Sequence, residues 1–212
     1  MNAEDEKRLA GEAAAELVED GMAVGLGTGT TVDHFLAALA RRTPAIRCVA
    51  TSLRTESAAR ELGLPVEPFD ALERLDLAVD GADQVAPDGW LVKGGGAAHT
   101  REKVVAAAAT RFVVIASSDK VVDAIAAPIP VEILAYGAAS TLVRIAPAAL
   151  RDVPPSPDGG LIADYVGPVD DPAELAARLS STPGVVEHGL FGPELVSEIF
   201  IGRGDEVEHR LV

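Results

Sequence analysis

Apolar runs of three to five residues alternate with stretches whose apolar positions recur every three or four residues, and this rhythm continues to about Ala116. Glu4 to Asp20 carries helical spacing, and Gly21 is placed to end the helix. Met22 to Leu26 predicts a strand, followed by the turn Gly27-Thr28-Gly29-Thr30-Thr31 and a helix from Val32 to Ala40. Ile46 to Ala50 predicts the next strand, Glu56 to Leu62 a helix, and the region of Pro65 to Phe69 a strand. Leu75 to Val79 (LDLAV) is a short buried strand that ends at Asp80. Trp90 to Val92 forms another, then comes a glycine run and a helix over Thr100 to Thr110, and Phe112 to Ala116 (FVVIA) closes the series. Strands that are mostly apolar along their length are buried on both faces. With helices between them, they predict an α/β fold: a mostly parallel sheet covered on both sides.

After Ala127 the texture changes. Pro128 and Pro130 bracket a boundary, so residues 1–127 and 197–212 are assigned to the main domain and 128–196 to a smaller one. Within the smaller unit, Val131 to Leu134 reads as a strand, Ala138 to Ile145 as a helix and Val153 to Gly160 as a loop. Leu161 to Val166 reads as a strand, a helix runs from Pro172 to Leu179, and Pro183-Gly184 turns into a last short strand. This order fits an α+β subdomain. The tail, Ser197 to Gly202 and Val207 to Val212, reads as paired extended segments around Arg203-Gly204-Asp205.

Hydrophobic residues make up 48% of the 212 and charged residues 24%, which supports a packed core rather than disorder. No apolar run reaches the length of a membrane span, and the acidic, amphipathic N-terminus does not resemble a secretory signal. The single cysteine, Cys48, lies in the apolar run IRCVA and reads as a buried structural thiol, with the cytoplasm as the expected location. A net charge of -15 argues against nucleic acid, whose phosphates need a basic surface. A small anion remains compatible if positive groups gather in one pocket. Only four of the 18 basic residues are lysines: Lys7, Lys93, Lys103 and Lys120. Lysine used so sparingly suits places that need a compact ammonium. The acidic, lysine-poor composition fits either a high-salt cytoplasm or GC-rich coding.

Three segments stand where ligands bind in open α/β sheets, beyond the carboxyl ends of strands. In Gly25 to Thr31 (GLGTGTT), the glycines allow a tight turn, and the following helix presents free N–H groups to an anion. A plain strand–helix turn would explain the same residues. Asp80-Gly81-Ala82-Asp83 places two carboxylates three residues apart, able to bind sugar hydroxyls or simply to cap backbone amides. No histidine or third carboxylate stands beside them at ligand spacing, so no metal is expected. In Leu91 to Lys103 (LVKGGGAAHTREK), Lys93 ends a strand, Gly94, Gly95 and Gly96 expose their N–H groups, and Glu102 follows about one helical turn later. A base beside a cationic, oxygen-stabilising group suits proton abstraction next to a carbonyl. The plainer alternative makes Glu102 a helix-surface residue between Arg101 and Lys103.

These segments resemble the signatures of the type A ribose-5-phosphate isomerases. The glycine-threonine loop, Asp76 to Asp83 (DLAVDGAD) and Lys93 to Lys103 match in order and spacing. So do Ile115 to Lys120 (IASSDK), Pro128 to Ile133 (PIPVEI) and Pro183 to Phe191 (PGVVEHGLF). The resemblance implies a Rossmann-like main domain with an inserted ferredoxin-like subdomain, a homodimer or homotetramer, and no cofactor. It further implies that Glu102 is the proton acceptor, that Lys93 steadies the enediolate, and that Asp80 and Asp83 hold sugar hydroxyls and aid ring opening. Thr28, Gly29, Thr30 and Thr31 would form part of the ligand loop, with Gly81, Ala82 and the three glycines alongside, and Lys120 and Lys7 would add positive charge around the pocket or phosphate. Against the family pattern, Gln84 stands for a usual Glu, His99 for a usual Leu, and the loop at Ser156 to Leu161 is short. His34, His188 and His209 read as structural or surface residues. Two rival readings are a sugar-phosphate-sensing regulator domain, which should carry a basic helix-turn-helix not found here, and an acyl-CoA transferase, whose glutamate context is missing.

Overall fold

A computed structural model describes residues 2–212. In chain order the elements are α1 (Ala3–Ala15), β1 (Ala23–Leu26), α2 (Thr30–Arg42), β2 (Arg47–Ala50), α3 (Leu53–Glu61) and β3 (Leu75–Gly81). Then follow β4 (Gln84–Val85), β5 (Leu91–Val92), α4 (His99–Ala108), β6 (Ala109–Ser117), β7 (Ile129–Ile133), α5 (Ala138–Arg144) and β8 (Ala148–Leu150). The last are β9 (Leu161–Tyr165), α6 (Pro172–Ser180), β10 (Val185–His188), β11 (Leu190–Phe191), β12 (Glu198–Arg203) and β13 (Glu206–Leu211).

The six-stranded sheet runs β13-β12-β6-β3-β1-β2, parallel except for the antiparallel edge strand β13. One face packs Leu77, Val79, Val113 and Ile115 against Phe35, Leu36 and Leu39 of α2 and the alanines of α1. The other packs Ala78, Phe112, Val114 and Ala116 against Val105 and Ala106 of α4. Both faces are therefore dry, as the apolar strand sequences require. The small alanines of α1 let it approach the sheet closely, and Asn2 and Asp5 form a reciprocal cap at its start.

β1 lies between β2 and β3, so the chain leaves β1 to one side for β2 and returns to the other side for β3. The loops after β1 and β3 consequently diverge and leave a crevice at this switch point. The smaller unit interrupts the crossover from β6 to β12. Its elements β7-α5-β8-β9-α6-β10 form an antiparallel sheet ordered β10-β7-β9-β8, the ferredoxin-like arrangement, around Ile129, Val131, Ile133, Leu175 and Leu179. We propose to divide the chain at 1–127 with 197–212 against 128–196, since β7 to β10 share one sheet and β12 rejoins the first.

Several expected elements differ. The first helix ends at Ala15 rather than Asp20, and irregular turns lead to Gly21 at φ 89°. Pro65 to Phe69 is not a strand: only Val66 bridges to Cys48, since Pro65 and Pro68 have no N–H to offer a ladder. α3 begins three residues before the expected Glu56 because Ser52 caps it through Thr55 N. β8 and the two-residue strands β4 and β11 have no counterpart in the apolar pattern of the sequence.

Candidate active site

The crevice at the switch point is a cavity of about 180 Å³. The N-terminal half of α1 contributes Lys7, the loop after β1 and the first turn of α2 contribute Thr28, Gly29, Thr30 and Thr31, and the end of β3 with the turn after it contributes Gly81, Ala82 and Asp83. The opposite wall is Lys93, Gly94, Gly95 and Gly96 with Glu102 from α4, and Lys120 closes the rim from the turn after β6. Every proposed binding or catalytic residue lines this cavity except Asp80, which sits directly behind it.

Gly29, at φ 134°, starts α2 with no side chain capping the helix, so the first N–H groups stay available at the cavity wall. The hydroxyl of Thr28 turns away from the cavity into a cluster with Thr51 (2.8 Å), Ser52 (2.8 Å) and Thr55 (3.2 Å), while Thr55 donates to the Gly27 carbonyl (2.8 Å). These hydroxyls lock the loop; nothing in the spacing of the sequence announced them. A Cβ on Gly27 would lie 2.1 Å from the Asp80 carboxyl, so only glycine lets the chain leaving β1 pass this close to the end of β3 before the two loops part.

Lys93 is 2% exposed. Its Nζ lies 2.9 Å from Asp80 Oδ2 and 3.2 Å from Glu102 Oε2, and it donates to the Gly81 carbonyl. The ammonium also lies 5.5 Å above the Phe191 ring of β11. Asp80 Oδ1 accepts from the backbone N–H of Thr28 (3.0 Å) and Gly81 (2.7 Å), so this carboxylate ties the two loops together and pairs with Lys93. Asp83 Oδ2 accepts from Gly95 N (2.7 Å). Gly94 turns the chain at φ 102°, a conformation suited to glycine, and brings Glu102 back across the bend to Lys93. Glu102 is 4% exposed, which excludes the helix-surface alternative.

Two carboxylates share one buried ammonium here. Burial, reinforced by the Asp80 charge and opposed by Lys93, pushes the Glu102 carboxyl up to about 8. Burial likewise raises Asp80, against the pull of Lys93 and two backbone N–H groups. For Lys93, burial disfavours the charge, but Asp80 and then Glu102 outweigh it and hold the ammonium protonated. Near neutral pH, then, one carboxyl beside a cation is poised to exchange a proton.

At the rim, Lys7 pairs with Glu4 (2.6 Å) and Lys120 with Asp119 (3.4 Å). Glu6 joins their supports: it accepts from Ser118 N (2.9 Å), Ser118 Oγ (2.7 Å) and Gly204 N (2.9 Å). Lys103, the fourth lysine, faces away from the cavity and binds Glu187 (2.7 Å) and the His188 carbonyl (2.6 Å). His188 is buried, whereas His34 pairs with Glu4 at the surface and His209 stacks on Phe200. None of these three histidines lines the cavity.

The family model described as ribose 5-phosphate isomerase A (phosphoriboisomerase A) matches residues 47–206. The ribose-5-phosphate isomerase A of Caulobacter vibrioides is 48% identical, with 98% of each chain covered. Among solved structures, the ribose 5-phosphate isomerase A of Neisseria gonorrhoeae superposes with a TM-score of 0.94 at 28% identity, over 99% of this chain and 97% of that one. A D-ribose-5-phosphate isomerase solved with phospho-erythronic acid gives 0.92 at 31% identity, with 100% of both chains covered.

Proposed function

This chain belongs to the ribose 5-phosphate isomerase A family, whose isomerases interconvert ribose 5-phosphate and ribulose 5-phosphate, and from that premise we propose that Glu102 moves the proton and Lys93 holds the developing charge. The carrying observation is the convergence of the two side chains at 3.2 Å across the triglycine bend, on one wall of the cavity.

In this reading the open-chain aldose enters with its phosphate toward Lys7, Lys120 and the uncapped start of α2. The Glu102 carboxylate removes the C2 proton; the electrons form a C1=C2 double bond, and charge passes to O1 as a cis-enediolate. Lys93 and the N–H groups of the glycine bend stabilise that charge, each donor typically contributing about 10²–10³ in rate. Protonated Glu102 then delivers the proton to C1, and the O2 hydroxyl proton passes to O1 as the C2 ketone forms. Asp83, at the cavity wall, would hold sugar hydroxyls and assist ring opening, whereas Asp80 acts through Lys93. The binding of phospho-erythronic acid by the solved relative supports a site for a phosphorylated four- or five-carbon anion.

We propose that no metal takes part: the Lys93 ammonium occupies the position between Asp80 and Glu102 that a divalent cation would need. We also propose a homodimer or homotetramer in the cytoplasm. The exposed Leu134, Tyr136 and Val143 around α5 support association, and the lone buried thiol of Cys48 suits a reducing compartment. Among the described residues no helix is long and apolar enough to cross a membrane.

The test is isomerase turnover by protein treated with EDTA, together with the Lys93→Met variant. Chelated wild type should retain full activity, and Lys93→Met should lose about 10²–10³ in kcat. Loss of activity on chelation, restored by a divalent ion, would overturn the metal-free reading; a fully active Lys93→Met would overturn the charge-stabilising role.

A further inference from the structure

Arg151, just past the end of β8, reaches out of the smaller unit into the back of the triglycine bend. Its Nη1 donates to the carbonyls of Gly94 (2.9 Å) and Gly95 (3.2 Å). The guanidinium is clamped by a bidentate pair with Asp164 of β9, Nε to Oδ2 at 2.8 Å and Nη2 to Oδ1 at 2.5 Å. The β8–β9 register pairs Ala149 with Asp164, so Arg151 and Asp164 are diagonal neighbours on one face of the small sheet. The backbone of Arg151 is fixed as well, its N–H donating to the Ile162 carbonyl at 2.8 Å.

A trans peptide points its C=O and the following N–H in opposite directions. Drawing the Gly94 carbonyl toward Arg151 therefore sends the Gly95 N–H the other way, where Asp83 accepts it at 2.7 Å. Drawing the Gly95 carbonyl back does the same for the Gly96 N–H. That N–H has no acceptor among the described residues, and Gly96 lines the cavity. The Gly94–Gly95 peptide has further anchors, Ala97 N–H on its carbonyl (3.0 Å) and Asp83 on its N–H, but among the described residues the Gly95–Gly96 peptide has Arg151 alone. With no side chains to restrict it, that plane could rotate without Arg151 and turn its carbonyl toward the developing negative charge.

We propose that Arg151 is a positioning residue for the isomerase reaction: by holding two carbonyls of the glycine bend, it keeps the Gly96 N–H aimed at the enediolate oxygen and makes the smaller unit a working part of the active site. It touches no substrate and moves no proton. The contribution is orientation of a donor whose worth depends on being preset.

The inference rests on the reading of this cavity as the isomerase site, but not on which carboxylate moves the proton. The test compares wild type, Arg151→Met and Arg151→Lys for kcat, for KM with ribose 5-phosphate, and for the dissociation constant of 4-phospho-erythronate. The carboxylate of that probe mimics the enediolate charge. Arg151→Met should lower kcat about 10- to 100-fold and weaken the probe by a similar factor, with KM changed less than about threefold. Arg151→Lys, able to hold one carbonyl but not both along with Asp164, should fall between. Circular dichroism and the thermal midpoint at assay temperature identify the folded variants; if Arg151→Met does not fold, the Lys variant decides alone. Equal losses for probe and substrate binding would overturn the proposal and leave Arg151 as a general structural clamp. Unchanged kcat and probe affinity in a folded variant would overturn it outright. A failure of Glu102→Gln to slow catalysis, by contrast, would strike the proton-transfer reading and leave this one standing.

Discussion

At Glu102, burial and the neighbouring Asp80 charge favour the protonated carboxyl, and Lys93 opposes them. A base must be free of its proton to act, so kcat/KM should rise with pH through about 8 and fall roughly tenfold per unit below that value. Lys93→Met removes the opposing charge and should move this acid limb to still higher pH; a limb in the ordinary carboxylate range would contradict the assignment. His99 presents a different strain. It is fully buried in the first turn of α4, neither ring nitrogen has a partner in good hydrogen-bond geometry among the described residues, and burial holds its pKa down to about 4 against the opposing pull of the Glu187 backbone. A histidine with a depressed folded pKa contributes stability that is present above its unfolded value, near 6.5, and is lost as pH falls through about 4. His99→Leu removes two unsatisfied polar atoms at similar volume, and should gain about 1–3 kcal/mol at pH 7. Its advantage should widen between pH 7 and pH 5 in denaturant melts. A less stable variant would show that the contact with the Glu187 backbone outweighs the cost of burying the ring.

At the scale of elements, supports matter more than contacts. Glu6 on α1 gathers N–H groups from the turn after β6 and from the β12–β13 turn, and so ties the helix that carries Lys7 to the turn that carries Lys120. Its carboxyl is held below the usual range, chiefly by the Gly204 N–H. Glu6→Ala should raise KM for ribose 5-phosphate about tenfold, with kcat changed less than about threefold, since it loosens Lys7 and Lys120 but not Glu102; steady-state kinetics checks this, and a fall in kcat at constant KM would contradict it. The elements most legible in the sequence are those fixed by local pattern: β3 from its largely apolar LDLAV, the Phe112–Ala116 part of β6 from an apolar run (its first residues, Ala109 and Thr110, read as the end of the preceding helix), α6 from Pro172 at its first turn, and the triglycine bend from three consecutive glycines. Others were decided by partners far along the chain. β4 and β11 have only two residues each and exist because they pair with β5, and β8 exists because β9 lies beside it. For the same reason the role of Arg151 could not be read from its neighbours, and Asp80 gave no sign that it would face the Lys93 ammonium from behind the cavity wall.

For the whole molecule, a chain of net charge -15 nevertheless gathers the Lys7, Lys93 and Lys120 ammonium groups and the uncapped start of α2 around one crevice, an arrangement that suits a small anion. That crevice exists because the strand order reverses between β1 and β3, and its far wall is braced by the inserted unit. Buried charge at such a site is a cost to stability, retained where chemistry needs it. The most direct measurement of the central claim is loss of the C2 proton of ribose 5-phosphate in deuterated water, followed by proton NMR, for wild type and Glu102→Gln. The variant should keep its circular dichroism spectrum and melt no lower than wild type at pH 8, yet exchange at least about a thousandfold more slowly. Exchange within tenfold of wild type by a folded Glu102→Gln would show that another group moves the proton.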